Sequence, residues 1–351
     1  MSSRPYDGKL GIVTGGSRGI GAAVAKRLAA KGCKLLLVFT SDSSRSLTKA
    51  LCADLEAQHG VKCAQVQADL SQAAEASAKI VEAAKVFYAS LAAGGDSSKQ
   101  LRVDILINNA GVSSNQFLND AAQGPIAAAE FARVYNVNVL APLLLTQALA
   151  PYFPSPSSSS GGFVKTRGRV VNVSSVSSSI GYEGQSVYAG TKAALEAMTR
   201  CWSRELAGRA TVNAVNPGPA WGDMYAEAGE GFWRINQPHC DAAPLQAYKG
   251  STSAETAAEV KELMGDGVED KDAELERFDA LVRDKMGGRR PGFTSEIAGL
   301  LICCAPRRPG DDGERGVRER GHEDVNRVGL SIGYDRYESI SGHFINLPSP
   351  L

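Results

Sequence analysis

The chain has 351 residues with 38 basic and 38 acidic side chains, so its formal net charge is zero. A chain of this length can bury a sizeable core in one large or two modest domains. The balanced charge gives no electrostatic reason to expect a nucleic acid or an anionic membrane as a partner. Seven cysteines without a CxxC pair and four scattered histidines predict no metal site, and we interpret the cysteines as reduced.

The first nine residues, MSSRPYDGK, are polar and lead directly into an apolar segment. This arrangement leaves no room for the apolar core of a signal peptide. No apolar run approaches the roughly 18 residues that a membrane span needs. We therefore expect a cytoplasmic protein without a membrane partner.

Residues 10–32 predict a strand, a tight glycine turn and a helix, and the apolar run LLLVF (35–39) adds a second strand. In such a βαβ unit, the glycines allow the backbone to turn sharply and to approach a ligand closely. The N–H groups at the start of the helix would bind a diphosphate. The candidate nucleotide-binding residues in this loop are Gly15, Ser17, Arg18, Gly19, Ile20 and Gly21.

The end of the second predicted strand indicates which nucleotide binds. NAD sites of this type usually have an acidic residue there, which binds the ribose 2′-hydroxyl. Here Phe39 occupies that position, and without the acid a 2′-phosphate could pair with Arg18. NADP(H) is therefore favoured over NAD(H), although Asp42 would reverse this preference if it pointed into the pocket. The residues that could assist Arg18 are Thr40, Ser41, Ser43 and Arg45.

The stretch SVYAGTK (186–192) places Tyr188 four residues before Lys192. On a helix, this spacing puts both side chains on one face. A nearby lysine charge favours the phenolate and lowers the pKa of a tyrosine. The pair would then donate and accept protons near neutral pH, whereas an isolated pair of this kind is typical of an ordinary exposed helix face.

The sequence resembles the classical short-chain dehydrogenase/reductase family, and in particular 3-oxoacyl-(acyl carrier protein) reductases and fungal polyketide ketoreductases. The resemblance covers about residues 8–222. It implies an α/β Rossmann-type fold, with a doubly wound parallel sheet and helices on both faces. The motifs that carry it, in chain order, are TGGSRGIG (14–21), ADL (68–70), NNAG (108–111), NVN (136–138), VNVSS (171–175), YAGTK (188–192) and NPGP (216–219).

The resemblance also implies a catalytic group. Tyr188 would donate the proton to a substrate carbonyl oxygen, and Ser175 would hydrogen-bond that oxygen. Lys192 would lower the pKa of Tyr188 and hold the nicotinamide ribose, while Asn138 would position a water that relays protons to Lys192. Ser175 is preferred over Ser174 because it lies thirteen residues before Tyr188, as is usual in the family.

Further positions match the cofactor-binding motifs of the family. Asp69 would bind at the adenine end of the cofactor. The family pattern also implies contacts to the adenosine ribose from Asn109, Ala110 and Gly111, and contacts near the nicotinamide from Pro217, Gly218 and Ala220. Gly222 stands where the family commonly has a threonine that contacts the nicotinamide carboxamide.

We predict a single Rossmann-type domain spanning residues 1–351, with a surface insertion at 154–168 and a substrate cap at 223–287. Residues 288–304 resemble the last helix of the family and residues 340–347 its final strand, with a flexible insertion at 305–337 between them. In the cap, Tyr225, Phe232 and Trp233 could form an apolar lid over an aromatic or polyketide-like ketone, or could only pack the cap onto the body.

The predicted function is NADP(H)-dependent interconversion of a ketone and a secondary alcohol, as a ketoreductase of polyketide-like or fatty-acyl metabolism. One alternative is a non-catalytic NADP(H)-binding regulatory protein, which would have no need of the proton-relay residues. A second is a sugar-nucleotide epimerase or dehydratase, against which the spacing between Gly15 and Gly19 speaks. The resemblance implies a homodimer or homotetramer, and the sequence does not name the substrate.

Overall fold

The structure is a computed structural model, which describes residues 4–91, 100–155, 167–227, 229–241, 257–258, 260–261, 270–285, 292 and 294–303. Three of the predictions above fall outside these residues. They are most of the surface insertion, the flexible insertion at 305–337 and the final strand at 340–347.

The central element is a parallel β-sheet of six strands in the order β3-β2-β1-β4-β7-β8. The strands are β1 Leu10–Thr14, β2 Lys34–Phe39, β3 Cys63–Gln67, β4 Ile105–Asn108, β5 Asn119–Asp120, β6 Gly124–Pro125, β7 Gly168–Val173 and β8 Ala210–Val215. Only β5 and β6 lie outside this sheet, and they pair with each other in an antiparallel hairpin.

The helices of the described residues connect these strands or follow the last of them. They are α1 Gly19–Ala30, α2 Arg45–His59, α3 Ala73–Ser90, α4 Ala128–Tyr135, α5 Ala141–Leu149, α6 Ser177–Ile180, α7 Ser186–Glu205, α8 Asp223–Glu227, α9 Gly229–Asp241, α10 Lys271–Lys285 and α11 Thr294–Cys303. A π-helical turn, Asn136–Leu140, joins α4 to α5. No helix within the described segments has both the length and the apolar character that crossing a membrane requires.

The sheet is buried on both faces, which explains the composition of its strands. All five residues of β1 are buried, as a parallel strand between two helical layers requires. On one face, α1, α2 and α11 enclose an apolar core with the sheet, and on the other face α3, α5 and α7 enclose a second one. The predicted doubly wound α/β fold is therefore confirmed, and α11 confirms the helix predicted within 288–304.

The strand order reverses between β1 and β4, because the chain crosses from one side of the sheet to the other there. In open α/β sheets, ligands bind at the carboxyl ends of the strands beside such a reversal. The glycine turn follows β1 at this point, and Gly15 adopts a left-handed φ of 62°. The topology therefore places the predicted nucleotide loop beside the crevice.

Gly21→Ala is expected to destabilise the fold severely, by about 3 kcal/mol or more, because overpacking here meets backbone rather than a mobile side chain. A Cβ atom at Gly21 would lie 2.1 Å from the carbonyl oxygen of Gly15. The matched control is Gly19→Ala, where no atom lies within 4 Å and only the left-handed φ opposes a side chain. Urea unfolding measures both, and equal losses in the two variants would contradict the prediction.

Candidate active site

A cavity of about 930 Å³ opens at the carboxyl ends of β1, β4 and β7. All but two of the predicted site residues line it. They are Gly15, Ser17, Arg18, Gly19, Ile20, Thr40, Ser41, Asp69, Asn109, Ala110, Gly111, Ser175, Tyr188, Lys192, Pro217, Gly218 and Ala220. The two that do not line it are Gly21, which packs behind the glycine turn, and Asn138.

The glycine turn and the start of α1 fit a bound diphosphate. The residue before α1, Arg18, makes no side-chain cap to the first helical N–H groups, which leaves these donors to an anion. In front of Gly19 there is open space, since no atom lies within 4 Å of where its Cβ would be. This end of the cavity therefore suits the diphosphate of a dinucleotide.

A hydrogen-bonded link between β1 and β4 holds the floor of the cavity. The Thr14 hydroxyl accepts bonds from the backbone N–H groups of Asn109 and Ala110, at 3.0 and 3.1 Å. The Asn109 amide donates in turn to the carbonyls of Thr14 and Gly15, at 2.9 and 3.1 Å. Thr14 was not among the predicted site residues, because sequence alone does not indicate where its hydroxyl points.

Asp42 does not point into the cavity. Its carboxylate binds the Arg45 guanidinium at 2.7 Å, and 83% of its side chain is exposed. The hydrogen bond and charge of Arg45 lower the pKa of Asp42. Arg45 also bonds to Gln67 and lies over the ring of Phe39. The possibility that Asp42 reaches the cofactor pocket is therefore not realised, and Arg45 lies outside the cavity lining as well.

Tyr188 and Ser175 meet at the cavity wall, where their hydroxyls hydrogen-bond. Tyr188 lies in the first turn of α7, and Ser175 follows β7. Burial raises the pKa of Tyr188, and the side-chain hydrogen bond with Ser175 opposes this rise. Tyr188 is consequently a protonated phenol at neutral pH.

Lys192 lies deep in the site, with its side chain turned toward β7. Its Nζ donates to the carbonyl of Val173 at 2.8 Å and lies 5.5 Å from the centre of the Tyr188 ring. Burial lowers the pKa of Lys192 to about 8, and the charge of Glu196 partly opposes this shift. Burial raises the pKa of Tyr188 and the Lys192 amine contacts the face of its ring, so the predicted lowering of that pKa by the Lys192 charge stays a prediction.

The two candidate serines point in different directions. Ser174 donates to the Glu196 carboxylate at 2.6 Å and to the Lys192 carbonyl at 3.2 Å, so it serves the packing of α7. Asn216 binds the same carboxylate at 2.8 Å. Glu196 therefore links the loops after β7 and β8, and its position four residues after Lys192 was an available signal that the sequence analysis missed.

Asn138 supports the cavity wall from behind. Only 1% of its surface is exposed, and its amide makes both bonds to the backbone of Val112 at 2.9 Å. A Cβ atom at Gly111 would lie 3.3 Å from Asn138 Oδ1 and 3.4 Å from Lys192 Nζ. Asn138 thus holds the wall beside Lys192, while its predicted role in positioning a water remains a prediction.

A chain of polar side chains extends from Ser175 along one wall of the cavity. Ser175 Oγ lies 3.1 Å from Ser177 Oγ, and Ser177 donates to the side-chain oxygen Oε1 of Gln185 at 2.9 Å. The Gln185 amide donates to Asn115 Oδ1 at 2.9 Å. Gln185 is buried, whereas Asn115 lies at the exposed end of the chain. These residues could not be predicted from the sequence, because Asn115, Ser177 and Gln185 come from separate segments of the chain.

Another part of the cavity lining is aromatic. Trp221 lies against Tyr225 and Phe278, with ring centres 6.1 and 4.8 Å apart. Trp221, Tyr225 and Phe232 line the cavity, but Trp233 does not, and its indole N–H binds the Tyr225 carbonyl. The rings therefore pack against one another and also line the cavity, while the lid over an aromatic or polyketide-like ketone stays a prediction.

Thr294, the first residue of α11, lies beside Gly222. Gly292 bonds to the backbone of Pro219 and Trp221, and this pairing brings the start of α11 beside residue 222. The Thr294 methyl group lies 3.9 Å from where a Cβ of Gly222 would be, and both residues line the cavity. A threonine side chain is therefore present at this wall, although it comes from α11.

Comparison with known proteins decides the family. The family model described as short chain dehydrogenase matches residues 9–231. The chain belongs to the short-chain dehydrogenase family. The predicted resemblance is thus confirmed, and with it an enzyme that uses a nicotinamide cofactor and acts on CH–OH or C=O groups.

Relatives of this short-chain dehydrogenase include two fungal reductases. The L-xylo-3-hexulose reductase of Hypocrea jecorina (strain QM6a) is 60% identical over 305 residues, which are 86% of this chain and 92% of that protein. The L-xylulose reductase of Aspergillus niger is 52% identical over 303 residues, or 86% of this chain and 93% of that protein. A solved structure, the blue fluorescent protein from a metagenomic library in complex with NADPH, is 28% identical with a TM-score of 0.56, over 85% of this chain and 91% of its own.

Proposed function

We propose that this enzyme reduces an open-chain ketose, a polyhydroxylated ketone, to the corresponding polyol with NADPH. The observation that carries the proposal is the polar wall that begins at Ser175. It offers a hydroxylated substrate donors and acceptors directly beside Tyr188. The polar residues of this part of the cavity are Ser113, Asn115, Arg133, Ser175, Ser177, Tyr182 and Gln185.

The relatives support the same substrate class, since both fungal proteins are named as reductases of ketoses. A polyketide-like or fatty-acyl substrate, as first predicted, would displace water from the polar wall and replace few of the hydrogen bonds of that water. Buried polar groups that lose their partners disfavour binding strongly, which is how such walls discriminate between substrates. The aromatic wall at Trp221 would then cover the nicotinamide end of the site and exclude water.

The preference for NADPH rests on the environment of the ribose 2′ position. Arg18, Thr40 and Ser41 line the cavity, and Asp42, which follows Ser41 in the sequence, is bound by Arg45. A guanidinium and two hydroxyls suit a phosphate. The similar structure with bound NADPH supports the same choice.

The residues beside the substrate carbonyl have complementary roles in reduction. The bound cofactor supplies the hydride. Ser175 donates a hydrogen bond to the carbonyl oxygen as negative charge develops there, and Tyr188 transfers its proton to that oxygen. The raised pKa of Tyr188 keeps this proton in place until the oxygen becomes basic. Lys192, with a pKa of about 8, is mostly charged at pH 7 and stabilises the phenolate that remains.

A substrate panel tests this proposal. NADPH oxidation is followed with L-xylulose, a 3-hexulose, an acetoacetyl thioester and a bicyclic aryl ketone. We expect kcat/KM for the better ketose to exceed that for either apolar ketone by about tenfold or more, because the polar wall binds hydroxyl groups. A higher kcat/KM for the acetoacetyl thioester would instead support the fatty-acyl assignment.

Arg18→Ala is expected to raise the KM for NADPH by about 10- to 100-fold and to change the KM for NADH little. One hydrogen bond to a charged group is worth about 1.5–3 kcal/mol, and only NADPH has the 2′-phosphate that would receive it. Arg27→Ala, in the last turn of the same helix, is the matched control. Equal losses with both nucleotides would mean that Arg18 serves the diphosphate or the fold instead.

A further inference from the structure

A pair of cysteines lies at the edge of the sheet, away from the catalytic residues. The Sγ atoms of Cys52 and Cys63 are 2.8 Å apart. Cys52 lies in the middle of α2 and Cys63 is the first residue of β3. A disulfide bond has a length of about 2.05 Å, so the two sulfurs need to approach by less than about 1 Å to bond.

We propose that Cys52 and Cys63 form a reversible disulfide that joins α2 to β3 when the enzyme meets a low-molecular-weight disulfide such as oxidised glutathione. One cysteine thiolate attacks the glutathione disulfide, forming a mixed disulfide and releasing one glutathione thiolate. The second cysteine then displaces the second glutathione. Two cysteine thiols are oxidised, one glutathione disulfide is reduced to two thiols, and the two S–H protons pass to the released thiolates.

The surroundings of the pair indicate that exchange is slow compared with exchange at an exposed thiol. Cys52 is buried and Cys63 is half-buried, so a reagent has limited access to the two sulfurs. The hydrogen bond to Cys52, burial and the nearby Glu56 all raise the pKa of Cys63. Glu56 also accepts a hydrogen bond from the Cys63 backbone at 3.0 Å and helps to fix the start of β3.

The position of the pair predicts an effect on stability and none on catalysis. Within the part of the chain that the structure describes, β3 is an edge strand that pairs only with β2, so its attachment depends on that pairing and on α2. Strand β3 ends at Gln67, and the cavity residue Asp69 follows it. The four residue-to-residue steps from Cys63 to Gln67 span about 13 Å, which separates the cysteine pair from the cavity. The disulfide would therefore link α2 covalently to the edge strand β3 and leave the cavity unchanged.

Peptide mapping tests the bond in the full-length enzyme. The protein is equilibrated with mixtures of oxidised and reduced glutathione, free thiols are alkylated, and the digest is analysed by mass spectrometry. We expect an intramolecular link between the peptides of Cys52 and Cys63, reversed by dithiothreitol. The melting temperature should rise by about 3 °C or more on oxidation, because the bond restricts the unfolded chain. kcat and the KM for NADPH should stay within twofold.

Matched variants separate this pair from the other cysteines. Cys52→Ser and Cys63→Ser should abolish both the linked peptide and the rise in melting temperature, whereas Cys201→Ser, at an exposed thiol, should retain both. Cys52→Ala serves as a second variant if the serine destabilises the buried position. Glutathione on Cys201 alone, a bond between other cysteines, or an unchanged melting temperature in the wild-type enzyme would overturn the proposal. None of these results depends on the substrate assignment.

Discussion

Tyr188→Phe should lower kcat for ketone reduction by about 10²- to 10⁴-fold and leave the Kd for NADPH within about threefold. The phenol hydroxyl is the only group of Tyr188 that changes, and a positioned general acid contributes a rate factor of this size. The hydroxyl bonds to Ser175 at the cavity wall, so its loss leaves the ring and its contact with Lys192 in place. Stopped-flow reduction and titration of NADPH fluorescence measure the two quantities separately.

The comparison variant for Tyr188 is Tyr182→Phe, which removes a hydroxyl from another tyrosine of the same cavity. It should reduce kcat much less, because Tyr182 belongs to the polar wall and is not the proposed proton donor. If Tyr188→Phe retained a tenth of the wild-type turnover or more, another group or water would have to supply the proton.

Lys192→Met should lower kcat by about 10²-fold or more and should alter the dependence of stability on pH. Only 4% of Lys192 is exposed, and burial lowers its pKa from 10.5 to about 8. Between these two pH values, the unfolded chain holds a proton that the folded enzyme has lost, so the free energy of unfolding rises with pH. Below pH 8 both states hold the proton, and the folded enzyme carries the full cost of the buried charge, roughly 3 kcal/mol.

Methionine at position 192 carries no charge, so this rise between pH 8 and 10.5 should disappear in the variant. Urea unfolding at several pH values from 7 to 9.5 measures the rise in the free energy of unfolding. The raised pKa of Tyr188 affects this free energy only at higher pH. Lys79→Met, at an exposed position of α3, is the control and should keep the wild-type profile. If the free energy of unfolding of the wild-type enzyme did not change across this pH range, burial would not lower the pKa of Lys192.

The sequence was most informative where one element determines the position of a residue. The buried run of β1, the glycine turn and the start of α1 follow from local pattern, and the spacing of Tyr188 and Lys192 follows from one helix. Ser175 was separated from Ser174 only through the family spacing, and the structure places it beside Tyr188. These residues lie together because parallel strands bring their carboxyl ends to one edge of the sheet.

The sequence was least informative where a polar side chain has several possible hydrogen-bond partners. Asn138 bonds to the Val112 backbone and does not line the cavity, and Lys192 turns to a carbonyl of β7. The polar wall depends on Asn115 and Gln185, which lie 70 residues apart and meet through packing of separate loops. Such contacts depend on loop conformations that hydrophobic periodicity does not encode.

The packing of α11 on α1 has a consequence for synthesis of the protein. Val24 and Leu28 belong to the same apolar core as Ile297 and Leu301, so the first helix of the chain is covered by one of its last described helices. At a translation rate of about 5–20 residues per second, roughly 15–60 s separate the appearance of the two helices. During this interval the nascent chain exposes apolar surface on α1. The ribosome-bound chain therefore offers chaperones an apolar surface that the folded enzyme covers.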